Sequence, residues 1–244
     1  MRIILLTDLH LTFKGQLSDR GIDVNQQFLN VLSHLKTISF DHIIILGDIC
    51  YNEPEYEIYD WFLDEVENLN KPFDIIAGNH DNSELMIQIL DLPTVHTYDK
   101  QIFVMKNLAG RKCFFLDTSS GEIKGQQLDW LKDKLINNTE DILVFMHHPP
   151  CNGKVPFMDI NHKLKNKTEV FQLFKQDYNI DVFCGHYHVD KTITHNNVNV
   201  RICPSTFYTM SDKSPEFEIE HTTPGFTILD INEETVNSKT IYLS

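Results

Sequence analysis

The sequence predicts an α/β fold in a single domain over residues 1–244. Two observations support this. Strand-length apolar runs alternate with segments whose apolar residues recur every three or four positions, as in a sheet covered by helices. The composition, 41% hydrophobic and 11% aromatic over 244 residues, suits one domain with a substantial core and gives no sign of disorder. No repeat, low-complexity segment or linker interrupts the pattern.

Residues 2–8 read as the first strand, apolar through Ile3, Ile4, Leu5 and Leu6. Asp23 then caps a helix, with Gln26 in the capping-box position. Val24, Phe28, Val31, Leu32, Leu35 and Ile38 form its buried stripe at helical spacing. Residues 42–47 read as a second strand, 55–69 as a helix, 73–77 as a strand and 84–90 as a short helix. The middle predicts strands over 102–105 and 112–117, a helix over 126–136, strands over 142–146 and 182–184, and a helix over 169–176 between these last two. From residue 192 onward, runs at 198–202, 226–231 and 236–242 read as antiparallel β-structure. Residues 151–162 and 211–224 read as irregular.

Composition excludes several classes of function. The apolar runs are far too short to span a bilayer. Met1 leads directly into the first strand, without the regions of a signal peptide, so the cytoplasm is the expected compartment. Cysteines at 50, 113, 151, 184 and 203 include no Cys-x-x-Cys pair, which argues against a disulfide framework or zinc ribbon and for small core residues. A net charge of −14 with no basic cluster argues against duplex nucleic acid. The basic stretch at 163–167 alternates with Leu and Asn and reads as solvated surface. An acidic protein can still take a small anionic ligand when metal ions supply the positive charge.

Five polar clusters each follow an apolar strand: Asp8-Leu9-His10, Gly47-Asp48, Gly78-Asn79-His80-Asp81, His147-His148-Pro149-Pro150 and Gly185-His186-Tyr187-His188. Ligands of open α/β sheets bind at the carboxyl ends of strands, so these loops are placed to share one crevice. The glycines allow sharp turns there. Carboxylate, amide and imidazole groups suit Mn, Fe or Zn rather than a thiolate site. In extended backbone, residues i and i+2 point the same way at roughly 6.5–7 Å. Asp8 with His10, and His186 with His188, are then pairs able to enter one metal cluster. Consecutive strand residues point oppositely, so only one of His147 and His148 is expected to do so.

In this order the clusters resemble the signature of the calcineurin-like metallophosphoesterase superfamily, and within it the bacterial cyclic-nucleotide phosphodiesterase branch. The likeness runs from Asp8 to His188 and includes Gly21-Ile22-Asp23, the stretch from Gly125 to Leu131, and Met158-Asp159. It implies a four-layer αββα sandwich of two mixed sheets flanked by helices. It implies two divalent or trivalent ions, Mn, Fe or Zn. The first would be held by Asp8, His10, Asp48 and His188, and the second by Asp48, Asn79, His147 and His186, with Asp48 bridging. His80 would stand outside the metal shell, facing the substrate, and Asp81 would orient His80 or brace the loop. The activity implied is hydrolysis of a small phosphate ester, a phosphodiester such as a 3′,5′-cyclic nucleotide first. In two-metal hydrolases the ions lie roughly 3.5–4 Å apart and lower the pKa of bound water toward neutrality.

Other readings use the same residues. A phosphomonoesterase or nucleotide-diphosphate hydrolase needs the same metal centre, and the superfamily also contains non-catalytic scaffolds; oligomeric state is left open, a homodimer included. The loops at 11–23, 151–162 and 205–224 are expected to form the pocket walls that decide between substrates. His148 reads as supporting a ligand or lining the pocket. His34, His42, His96, His162, His195 and His221 read as ordinary surface or loop residues, Arg20 as solvated loop, and Trp61 and Trp130 as core.

Overall fold

The computed structural model describes residues 1–92, 97–98 and 100–243; His96 lies outside them. β1 (Arg2–Leu6), β2 (His42–Ile45) and β3 (Phe73–Ile75) pair in parallel, joined by α1 (Val24–Leu35) and α2 (Tyr56–Glu67). After them come α3 (Ser83–Ile89), β4 (Thr97–Tyr98), β5 (Gln101–Ile102), β6 (Val104–Leu108), β7 (Arg111–Leu116) and α4 (Gly125–Ile136). Next are β8 (Ile142–Met146), α5 (Pro156–Asn161), α6 (Lys167–Leu173), β9 (Ile180–Cys184), β10 (Lys191–His195) and β11 (Val198–Ile202). β12 (Thr209–Met210), β13 (Ile219–His221), β14 (Gly225–Ile231) and β15 (Val236–Tyr242) follow.

Two sheets dominate. One has the order β15-β14-β1-β2-β3 and the other β10-β11-β9-β8-β7-β6. Both are mixed: β14 returns antiparallel to β1, and β6 and β10 close the second sheet antiparallel to their neighbours.

Alternation along the strands builds the layers. Ile4, Leu6, Ile43 and Ile45 face α1 and α2, packing with Phe28, Val31, Tyr59 and Phe62. The intervening Ile3, Leu5 and Ile44 face the second sheet, where they meet Phe115, Phe145 and Phe183. Those three rings are cross-strand partners and stack with centroids 5.0 and 5.6 Å apart. The far side of the second sheet, with Phe114, Val144, Met146 and Val182, buries Leu131, Leu135, Met158 and Val170 of α4, α5 and α6. The architecture is the expected four-layer αββα sandwich. Among the described residues no helix is long and apolar enough to cross a membrane.

The local expectations hold with corrections at the segments of weakest periodicity. Asp23 accepts from Gln26 N at 2.9 Å, but the Gln26 side chain donates forward to Asn30, so the cap is half a capping box. Residues 156–161, expected to be irregular, form α5 with Pro156 in its first turn, where a missing N–H costs nothing. The helix expected over 169–176 runs Lys167–Leu173, and the irregular 211–224 contains β13. The tail is not wholly antiparallel, because β11 pairs in parallel with β9.

His42 is not a surface residue. It is buried on β2 with its Nε2 2.9 Å from Asp74 Oδ2, and Lys106 of β6 ion-pairs with the other oxygen of the same carboxylate. This group ties the edge strand of one sheet to the edge strand of the other. Burial pushes the Asp74 carboxyl up, but His42 and Lys106 outweigh it and hold it below the ordinary carboxylate range. Removing one partner of such a buried group leaves the others unpaired. Asp74→Asn is therefore expected to lower stability by about 3 kcal/mol at pH 7 in urea unfolding. A depressed folded pKa gives stability present above the unfolded value of about 3.9 and lost as pH falls through the folded one. The gap between wild type and variant should therefore narrow below that pH, and a gap constant from pH 7 to pH 3 would show that the charge is not its source.

Candidate metal centre

The five polar clusters meet at the ends of β1, β2, β3, β8 and β9. Asp8, His10, Asp48, His186 and His188 all have left-handed backbone, with φ between 49 and 66°. Side chains in that region cost about 1–3 kcal/mol each, so the surroundings must impose the conformation. They do so through backbone hydrogen bonds between loops. Asp8 N donates to Gly47 O at 3.0 Å, and the amides of Leu9 and His10 both donate to Asp48 O at 2.8 and 3.0 Å. The expectation of extended Asp-x-His and His-x-His pairs is corrected here: both turns are coiled, yet both members of each pair reach the cluster.

Of the three cluster glycines, Gly47 supplies a left-handed turn with φ of 94°. The other two make room. A Cβ on Gly78 would lie 2.8 Å from Asp48 Cγ, and one on Gly185 would lie 2.6 Å from Asp8 Oδ2. Both carboxylates are thus seated against bare backbone.

Each carboxylate has one oxygen held and one directed at imidazoles. Asp8 Oδ2 accepts from Thr7 Oγ1 at 2.8 Å and His186 N at 2.9 Å, while Oδ1, which the same amide reaches more weakly at 3.2 Å, lies 3.2 Å from His188 Nε2. Asp48 Oδ1 accepts from His80 N at 2.8 Å, and Oδ2 lies 3.2 Å from His147 Nε2. Three imidazoles are fixed from behind by backbone carbonyls. His147 Nδ1 donates to Leu46 O at 2.7 Å, His188 Nδ1 to Tyr208 O at 3.2 Å and His186 Nε2 to His162 O at 2.7 Å. A carbonyl can only accept, so in the neutral ring the other nitrogen of each keeps its lone pair for the cluster.

The donor atoms fall into overlapping groups, within each of which they lie within 4.8 Å of one another: Asp8 with His10 and His188, Asp48 with His147 and His186, and His10 with Asp48 and His80. This set fits divalent ions. His147 Nε2 is buried close beside Asp48, without hydrogen-bond geometry, so the two atoms converge on a point rather than bond each other. Charge agrees. Burial pushes the Asp48 carboxyl up, but His147 outweighs it and holds the group well below its ordinary range. Burial disfavours charge on His147, yet Asp48 and Asp8 outweigh it and raise the imidazole to about 9, so the carboxylates draw onto Nε2 a proton that a bound cation would displace. On His10 and His186 burial outweighs the attraction of Asp48 and Asp8 and lowers both imidazoles to about 3.

Asn79 and His80 line the same cavity, of about 250 Å³, with His10, Asp48, His186 and His188. Asp81 lies beneath it. Its carboxylate accepts from Ile49 N at 3.0 Å, Gly78 N at 2.9 Å and Tyr59 Oη at 3.1 Å, and burial followed by the neighbouring Asp48 pushes it up to about 6. These bonds brace the second and third loops against each other. His148 is buried, with Nδ1 2.9 Å from Thr118 Oγ1 and its ring 4.0 Å from that of His186. Burial, then His186, holds its imidazole well below the ordinary range.

All three loops expected to form the walls do so, through Arg20, then Phe157, Met158 and His162, then Phe207, Tyr208, Met210 and Phe217. Arg20 and His162, read from sequence as ordinary loop residues, belong to this cavity. No local signal marks them, because their place follows from which loops face each other across the mouth.

Gly78→Ala tests the seating of Asp48. The added methyl meets the carboxylate and the Asp48 backbone, so stability should fall by about 1–3 kcal/mol and metal uptake should weaken. Unchanged urea unfolding together with unchanged metal titration would show that the loop yields freely.

Comparison with known proteins agrees with this geometry. The family model of calcineurin-like phosphoesterases matches residues 1–190. A probable cyclic nucleotide phosphodiesterase of Fibrobacter succinogenes is 29% identical, with 100% of this chain and 94% of the relative covered. A probable glycerophosphodiester phosphodiesterase of Arcobacter nitrofigilis is 26% identical over 90% of this chain and 85% of its own length. Among solved structures, a dimetal phosphatase from Danio rerio shares the fold at a TM-score of 0.66 and 12% identity, covering 100% of this chain and 99% of its own. With the family model matching most of the chain and Asp and His donors gathered at the strand ends, this protein belongs to the calcineurin-like phosphoesterase family.

Proposed function

We propose that this metallophosphoesterase is a dinuclear enzyme for small phosphodiesters, with 3′,5′-cyclic nucleotides as its first substrate class. The observation that carries the reading is the pair of donor groups, Asp8/His10/His188 and Asp48/His147/His186, opening on one small cavity. The names of the relatives support diesters. Asp8, His10, Asp48 and His188 would hold one ion and Asp48, Asn79, His147 and His186 the other, Asp48 bridging, with Mn, Fe or Zn suited to these donors. When bound, such ions supply Lewis acidity and water acidic enough to attack at neutral pH. The chain's own part is to seat the ester and move protons. His80, half-buried at the cavity wall with its amide bonded to Asp48, faces the ester and holds a proton for the departing oxygen. Asp81 keeps its loop in place, and the acidic chain leaves phosphate attraction to the ions.

Turnover of manganese-loaded protein on 3′,5′-cyclic AMP, an aryl phosphodiester and an aryl phosphomonoester tests the reading. The two diesters should be preferred. A preference for the monoester overturns the diester assignment, and two bound ions with no turnover of any substrate would favour a scaffold.

His80→Ala should keep its metals and lose roughly 10²–10⁴-fold in turnover, less for esters with good leaving groups. Equal losses for nitrophenyl and alkyl esters would remove the proton-donor role.

The adjacent histidines should separate in metal titration. His147→Ala is expected to fall from two equivalents toward one. His148→Ala should retain two while KM rises, because its ring supports His186 from outside the cluster. The reverse pattern would exchange their roles.

A further inference from the structure

A line of rings leads from the metal centre to the mouth of the cavity. The Tyr208 ring lies 4.4 Å from that of His188, Phe217 lies 5.8 Å from Tyr208 at 85°, and Phe157 lies 5.7 Å from Phe217 at 76°. All three rings are partly exposed in the cavity wall rather than closed into the core. Across the mouth, the Arg20 guanidinium carbon sits 4.3 Å from the Phe217 centroid. Arg20 is the only Lys or Arg among the described residues lining the cavity. Among those residues its guanidinium donates no hydrogen bond: its charged neighbour Asp19 stands 3.9 Å away and accepts from the Tyr51 hydroxyl. A planar cation with uncommitted donors, backed by an aromatic face, offers a surface on which a flat heterocycle stacks.

We propose that Arg20 and Phe217, with Phe157 beside them, form the platform that recognises a planar heterocyclic ester group, so that they decide between a nucleoside ester and an aliphatic one. The platform rests on the phosphodiesterase reading of the cavity. Phosphate at the metal end leaves the organic group of the ester to lie along the ring wall. An aliphatic glycerol group gains little from those faces, whereas a purine stacks on them. Lys at position 20 would keep the charge and lose the plane, which separates stacking from simple charge attraction.

The test uses the manganese-loaded full-length protein and two products, adenosine 5′-monophosphate and glycerol 3-phosphate, with affinities read by calorimetry. Wild type should bind the nucleotide about 10-fold more tightly, as expected for one stacked base. Arg20→Ala and Phe217→Ala should bring the ratio close to one, Arg20→Lys should lose it as fully as Arg20→Ala, and Phe217→Tyr, which keeps the ring, should retain it. The ratio of kcat/KM for 3′,5′-cyclic AMP over a glycerophosphodiester should move in the same direction. A wild-type ratio near one, a ratio unmoved by Phe217→Ala, or full recovery with Arg20→Lys would overturn the platform. A wild type that hydrolyses neither diester would instead overturn the phosphodiesterase reading, while the calorimetric ratio still decides the platform.

Discussion

Two buried carboxylates, Asp8 and Asp48, set the terms on which the rest of the structure is organised. Both are almost fully excluded from solvent at the ends of neighbouring parallel strands. An isolated carboxylate there would be strongly disfavoured. Each is stabilised by an amide from another loop on one oxygen and by imidazoles on the other. The partners come from both sheets: His147 and His186 follow strands of the second, whereas the carboxylates follow strands of the first. The charge demand of two side chains therefore fastens the sheets together at one end.

At the opposite side of the same seam the sheets are joined differently. His42, Asp74 and Lys106 link the edge strands, and the stacked Phe115, Phe145 and Phe183 fill the interior between. A packed aromatic layer resists sliding of one sheet over the other, because cores of this density leave no room for it. The ligand loops inherit that rigidity. Five left-handed side-chain positions in the centre are tolerable only on such a frame, since strained backbone persists where its surroundings over-determine it.

Division of labour follows from where each group is anchored. The metal-facing side chains stand directly on strand ends and are fixed by backbone bonds. The wall residues Arg20 and Phe217 stand on connections and Phe157 on the short α5; all three are partly exposed, touch one another, and the two rings also pack against the edge of the core. The rigid strand ends thus carry the candidate ligands, and the looser surroundings carry the cavity wall.

The sequence by itself determined the fold class and the chemical inventory. Period-two and period-3.6 patterns are local, so β1, α1, β2, α2 and β8 could be read from their own residues, as could the polar clusters that end the strands. The clearest misreadings fall where the deciding partner is distant in sequence. His42 looks like any loop histidine until β3 and β6 bring Asp74 and Lys106 to it, and the 156–161 helix has too few residues to show a period. The left-handed turns at Asp8 and His188 carry no glycine to announce them, because bonds from other loops impose them. Arg20 and Phe217 are nearly two hundred residues apart, and only the closing of β14 onto β1 sets their loops face to face. Sequence records what each residue can do; the chain's return on itself decides which residues do it together.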